Sequence, residues 1–387
     1  VGATENCNGN QVVGTFSKTG FPGTVTLYSA SGASLLGNTM VQTGNDFSNI
    51  TLTGTTIMAG WLNTEGVAAT TGPAKTISNN IFDNWVCGSG NVTVINSNNG
   101  NDNTTISGNS ITDISGDGNI TAILVGTTNK GTTQTCSGNT ISTITSTGGT
   151  VLGISGGAIG ITTFSVNNNN INTLSTSGAT QAEAIKITAA ATINLQKNKI
   201  YGINAQNATC IAFGIDIATS NTGATYNIVN NIVGNITAPL TNNALAIRGI
   251  SVSAVSTTST FNIYYNTVYL NANSSGTDFG TAALYLVANG TATSGAASVR
   301  NNILVNLSTP NGTGVSATLR RSGTSLANYA ASSNNNILYA GAPSSTSLIY
   351  YDGVNADQTL ATFKTRVSTR ESASFTEQPP FLSLVGS

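Results

Sequence analysis

An asparagine followed two residues later by isoleucine or valine recurs nine times along the chain at near-even intervals. The copies are Asn79-Asn80-Ile81, Asn109-Ser110-Ile111, Asn139-Thr140-Ile141, Asn169-Asn170-Ile171, Asn198-Lys199-Ile200, Asn230-Asn231-Ile232, Asn266-Thr267-Val268, Asn301-Asn302-Ile303 and Asn335-Asn336-Ile337. The steps from one anchoring asparagine to the next are 30, 30, 30, 29, 32, 36, 35 and 34 residues. Self-similarity at such a period marks a stacked repeat protein. Over 387 residues it argues for one elongated domain rather than two or three globular ones.

Three short strand signals recur in each repeat. The first follows the anchor, as in Ile111 and Ile114 or Ile141 and Ile144. The second includes Ile120 to Val125, Ile185 to Ile187 and Ile215 to Ile217, and the third places Ile106, Cys136, Val166, Leu195 and Ile263 three residues before the next anchor. The intervals are too rich in Gly, Thr and Asn for helices and show no 3.6-residue apolar period. Winding each repeat once around a common axis lets equivalent strands pair in parallel about 4.8 Å apart, which is an all-β parallel β-helix of about nine or more coils. Asparagines turned inward at a corner then form a ladder, passing amide hydrogen bonds to their copies above and below. The expected rungs are Asn79, Asn109, Asn139, Asn169, Asn198, Asn230, Asn266, Asn301 and Asn335. Replacing a central rung such as Asn169 by Ala is expected to cost about 1 to 3 kcal/mol.

The anchor phrase organises residues 76–340 as the β-helix. Residues 1–75 alternate like strands but lack the clear phrase, and read as irregular N-terminal coils or a cap, with Asn38-Thr39-Met40 as a degenerate anchor. Residues 341–387 read as the last coil and a C-terminal cap, in which Leu360, Phe363 and Val367 share one face of a short helix N-capped by Asp357.

Only 7% of residues are charged and the net charge is -1, so the surface is built from Thr, Ser, Asn and Gly. The 13 Lys and Arg are scattered, which excludes a phosphate-binding face and hence nucleic acid. No apolar run reaches the length of about 18 residues that a membrane span needs. The opening Val1-Gly2-Ala3 lacks a basic n-region and apolar core, so a mature or excised chain is expected. The composition suits an exported, extracellular or cell-surface protein.

In its Asn-x-Ile coils over residues 76–340 the chain resembles the parallel β-helix repeat family found in pectate-lyase-like proteins and in many secreted surface proteins of Bacteroidetes-type bacteria. Tyr350-Tyr351-Asp352-Gly353, the Leu360, Phe363 and Val367 face, and Glu377-Gln378-Pro379-Pro380-Phe381 look like the closing element of such surface proteins. The resemblance implies a right-handed helix. Enzymes of this kind place clustered acids, or acids with Arg, Lys or His, on one outward strand face.

On the second strand the outward column reads Lys186, Asp216, Ser251, Tyr285, Ser316 and Ile349 on successive coils. Lys186, Asp216 and the nearby Arg248 form the only candidate catalytic group, weighed against an exposed ion pair worth at most about 1 kcal/mol. Glycoside hydrolysis needs two carboxylates, and no second acid shares the Asp216 column. The chain has no His, which removes the commonest general base. Asp113 lies on a different strand, and Asp102, Asp117, Asp278 and Asp352 fall on separate coils or turns, so no metal cage and no cofactor is expected. Cys136 shares the inward slot of Val166 and Leu195 and reads as a buried thiol, while a Cys7 to Cys87 bridge would pin the N-terminal region. Tyr264, Tyr265 and Tyr269 lie near one anchor, where exposed rings stack on sugars and buried ones pack the core.

Two functions follow as expectations. The leading one is a non-enzymatic extracellular structural or adhesive β-helix that assembles with itself, end to end or laterally, because the open edges of a β-helix pair unless capped. The alternative is a carbohydrate-binding or polysaccharide-degrading β-helix, and the partners expected are a second copy, a polysaccharide or a cell surface.

Overall fold

The computed structural model describes residues 4–20, 22–30, 38–63, 73–98, 103–126, 132–158 and 160–383. Asp102 lies outside the described residues. The chain forms a right-handed-type parallel β-solenoid of about 10 turns with one short C-terminal helix. Among the described residues, sheet A has ten strands from Thr4–Asn6 to Ala296–Arg300, sheet B twelve including Gln11–Val12 through Ile337–Tyr339, and sheet C twelve from Thr24–Ala30 to Ala356–Asp357. Each coil passes through A, B and C in turn. Among the described strands, neighbours pair in parallel everywhere except Ser347–Tyr351 with Ala356–Asp357.

Inward residues stack coil upon coil. Ile106, Cys136, Val166, Leu195, Ile228 and Ile263 form one fully buried column, and Ile123, Ile154, Ile185, Ile215, Ile250 and Leu284 another. Each such side chain stabilises the fold by about 1.5 to 3 kcal/mol over leaving it exposed. At the B to C corner the backbones touch: a Cβ on Gly118 would sit 2.4 Å from the Gly90 carbonyl oxygen, so glycine is imposed there by the stacking distance.

The asparagine ladder occupies the A to B corner. It runs Asn10, Asn45, Asn80, Asn109, Asn139, Asn169, Asn198, Asn231, Asn266, Asn302 and Asn336. Each Oδ1 accepts two bonds from the preceding rung, one from its backbone N–H at 2.9–3.1 Å and one from its Nδ2 at 2.8–3.0 Å. The second Nδ2 hydrogen goes to a carbonyl of the preceding coil, as from Asn169 to Cys136 O at 3.1 Å. An internal rung therefore uses both lone pairs and both amide hydrogens, a set that neither Asp nor Ser carries.

The expected rungs Asn79, Asn230, Asn301 and Asn335 are corrected by one residue. Each stands just before its rung with φ of 53°, 58°, 56° and 61°, in the left-handed region. The same slot holds Gly9, Gly44, Gly108 and Gly138, all with positive φ. The corner thus demands two things in succession, a left-handed residue and then an inward amide, and Asn suits both. A one-residue shift reverses every face of the following strand. In Asn79-Asn80-Ile81 the isoleucine points outward and is 42% exposed, while Phe82 fills the core.

Two rungs, Asn10 and Asn45, lie upstream of residue 76, so the solenoid already includes the region read as irregular coils. Asn38 is no anchor: Thr39–Thr43 is a strand of sheet A and Asn45 makes the corner.

The C-terminal end is closed on all three sheets. Ala356–Asp357 returns antiparallel along Tyr350 and Tyr351, Phe375 bridges Ile337, and Tyr329 bridges Ala297. The helix Leu360–Val367 buries Leu360, Phe363 and Val367, with Phe363 stacked on Tyr350 at 4.9 Å. Its N-cap is Thr359, which accepts from Thr362 N at 3.3 Å; Asp357 instead holds Arg366 through bonds of 2.6 and 2.9 Å. One of the two edges behind the expected end-to-end assembly is therefore covered. All four cysteines are free, so the Cys7 to Cys87 bridge is absent. Among the described residues no helix is long and apolar enough to cross a membrane.

Candidate functional site

The outward side of sheet C carries the charge cluster. Each of its strands turns two residues outward, three positions apart, because two successive residues between them face the core; Glu183 and Lys186 flank buried Ala184 and Ile185. Register then builds two columns. One reads Glu183, Phe213, Arg248, Ala282 and Ala317, the other Lys186, Asp216, Ser251, Tyr285, Arg320 and Tyr351.

The end of the second column is corrected from Ser316 and Ile349 to Arg320 and Tyr351. Ser316 lies opposite Thr281, its hydroxyl 3.0 Å from the threonine's, and Ile349 belongs to the core.

Lys186, Asp216 and Arg248 do come together, but their bonds are not those of an exposed Lys–Asp pair. Lys186 Nζ meets Glu183 Oε1 at 3.1 Å. Asp216 Oδ1 accepts from Ser253 Oγ at 2.6 Å, and Ser253 Oγ in turn lies 2.8 Å from Ser251 Oγ and accepts from Arg248 Nη1 at 3.3 Å. The Arg248 guanidinium lies between two rings, 5.0 Å from Phe213 and 4.6 Å from Tyr285. Arg320 continues the alternation, 5.0 Å from Tyr351, and donates to Ala244 O at 2.8 Å.

Glu183 is the member that reading one column could not find. It is 1% exposed, and among the described residues its Oε2 has no hydrogen-bond partner. Burial pushes it up to about 7, the Asp216 carboxylate adds to the rise, and the Lys186 ammonium opposes it. The signal was present in Gln181-Ala182-Glu183-Ala184-Ile185-Lys186, once two outward positions per strand are allowed. Chemically, the pair places a carboxyl that is half protonated near neutrality close to a second carboxyl and two cations. Burial pulls Arg248 below the usual guanidinium range, against the favourable fields of Tyr285, Asp216 and Glu183.

The remaining acids serve their own turns. Asp113 sits at a left-handed bend within sheet B, Asp117 accepts from Thr147, Asp278 from Thr313, and Asp352 from Asn355 and Tyr350. Among the described residues no three Cys, Asp or Glu side chains converge on a point where a metal ion would sit.

No protein-family model, curated protein or solved structure matches this chain.

Sheet A faces solvent quite differently from sheet C. From Ala74–Ser78 to Thr260–Tyr264, seven successive strands turn no charged side chain outward. One column reads Thr133, Thr163, Thr192, Thr225 and Thr260, the next Thr135, Ser165, Asn194, Asn227 and Asn262. The last four bond along the column, at 3.4, 2.9 and 2.8 Å, as an external counterpart of the internal ladder.

Of the three tyrosines, Tyr264 donates to Asn262, Tyr269 lies 5.2 Å from Phe381 of the C-terminal tail, and Tyr265 projects from a corner, 58% exposed.

Proposed function

We propose that this chain is a non-catalytic extracellular structural or adhesive β-helix that associates through the outer face of sheet A. The observation that carries the reading is the uncharged array of hydroxyls and amides over seven strands of that face. Such a surface is braced by its own lateral bonds, has no like charges to repel a second copy, and offers hydroxyl and amide donors and acceptors that can exchange their water for hydrogen bonds across a contact. The covered C-terminal end favours side-by-side over end-to-end contact. Sedimentation and electron microscopy test this: the native chain should associate laterally, and a Thr135→Lys, Asn194→Lys variant should stay monomeric. A native chain that stays monomeric and fails to adhere to neutral polysaccharide surfaces would reject it. Recovery of the native protein in a cytosolic fraction would reject the extracellular placement.

Glu183 beside Asp216 favours one second reading, a polysaccharide-cleaving β-helix in which Glu183 donates a proton and Asp216 is the second carboxyl. A screen against acidic and neutral polysaccharides tests it, and turnover abolished by both Glu183→Gln and Asp216→Asn would establish it over the adhesive reading.

A further inference from the structure

Among the described residues, eleven corners place a left-handed residue before a ladder asparagine, and nine of these are Gly or Asn. The two exceptions are Lys197 with φ 55° and Tyr265 with φ 57°. A bulky residue with positive φ is a backbone outlier. Packing does not offset the strain at Tyr265, whose ring is 58% exposed. Strain of this kind gathers where a site requires a particular side chain.

Both exceptions line the same cleft. It has a volume of about 310 Å³ and is walled by Gln196, Lys197, Val229, Asn230 and Tyr265. Three successive corners make it: Lys197 and Tyr265 stand two rungs apart, about 10 Å, with the shorter Asn230 between them as the floor. Val229 pairs with Gln196 in sheet A and supplies an apolar patch beside the amides. Among the described residues, none bonds the side-chain amides of Gln196 and Asn230, the Lys197 ammonium or the Tyr265 hydroxyl. The cleft lies at the lower end of the size range of small-molecule sites.

We propose that this cleft binds one pyranose residue of an acidic glycan, its ring face on Tyr265 and its carboxylate on Lys197. The aromatic face receives the apolar C–H side of a sugar ring. The free amides of Asn230 and Gln196 offer both donors and acceptors to ring hydroxyls, and the ammonium selects a carboxylate as a point charge. The inference deepens the adhesive reading by naming a ligand; Gln196 and Val229 stand at the margin of the sheet A face, and the Glu183 cluster takes no part.

Isothermal titration of the full chain with uronate-terminated, sialate-terminated and matched neutral oligosaccharides tests it. Saturable binding is expected for at least one acidic sugar, and the two acidic arms tell which source of the carboxylate fits. Tyr265→Gly suits the corner's own geometry, so its melting midpoint should equal or exceed the native value while affinity falls at least tenfold. Lys197→Asn should leave the fold intact and remove the preference for acidic over neutral sugars. No saturable binding to any acidic sugar at millimolar concentration overturns the proposal, as does undiminished binding by Tyr265→Gly. Lateral association of native chains in the absence of sugar binding would defeat the cleft and leave association through sheet A standing; acidic-sugar binding by chains that never associate would keep the cleft and reject association through sheet A.

Discussion

The Asn336 side-chain amide meets both carboxylate oxygens of Glu371, at 3.1 and 3.0 Å, and so ends the ladder on an acid. Every earlier rung hands its bonds to the amide oxygen of the next asparagine. At the last coil no further asparagine follows, and Glu371, fully buried with φ 57°, takes the place of the acceptor. Tyr329 and Ser374 also donate to it, and Ser374 Oγ accepts from the Asn336 backbone N–H at 2.8 Å.

Glu371→Ala should therefore open the C-terminal cap. It leaves the Asn336 amide and two hydroxyls without this acceptor in a buried place, a loss of about 3 kcal/mol or more. Hydrogen exchange is the measurement: amides of Leu338 and Phe375, which close the sheet B edge, should lose protection while the central coils keep theirs.

The ladder register predicts opposite outcomes at adjacent residues. Asn80→Ala removes the acceptor of Asn45 and the donor to Asn109 and to Gln42 O, and should cost about 3 kcal/mol. Asn79→Gly should change stability by less than about 0.5 kcal/mol, because glycine takes a positive φ without strain. Denaturant midpoints of the two variants decide which asparagine is the rung. The same count at Asn169 puts Asn169→Ala at the upper end of the expected range.

Glu183 gives stability a pH dependence. Its carboxyl titrates near 4.5 when unfolded and about 7 when folded, so between these values the folded chain holds the extra proton. Stability from this group is present in full below about 4.5 and is lost as pH rises through about 7, by roughly 3 kcal/mol in all. Melting midpoints should fall from pH about 5 to about 8, and Glu183→Gln, which stays neutral, should flatten the profile.

Cysteine chemistry should be nearly silent. Burial pushes Cys87 up to about 12, Cys210 up to about 11 and Cys136 higher still, so none is a ready thiolate near neutral pH. A thiol reagent should label the native chain at Cys7 alone, and reduction should leave the intact mass unchanged.

Much of the solenoid was legible because stacking repeats the same demand on every coil. Ile106, Cys136, Val166 and Leu195 announce one inward column by position alone. Gly108-Asn109 and Gly138-Asn139 also held the key to the corner, a left-handed residue followed by the rung. In Asn79-Asn80 and Asn230-Asn231 both slots carry the same residue, so spacing to the next isoleucine selected the wrong one. Upstream, Asn45-Asp46-Phe47 escaped notice because Phe47 replaces the aliphatic residue. Glu183 was missed for a different reason: which strand positions face outward depends on two consecutive inward residues, and strict alternation does not allow for that.

The period, the strand composition and the amide at each corner determined by themselves that this chain is a parallel β-helix, since each is a local requirement repeated at fixed intervals. Only the tertiary structure decided the register of the ladder at Asn-Asn pairs, the pairing of Lys186 with Glu183, the covered C-terminal edge and the cleft between Lys197 and Tyr265. Those features join residues of different coils or of the closing segment. Their neighbours follow from loop lengths and coil stacking, which place side chains about 30 residues apart within bonding distance.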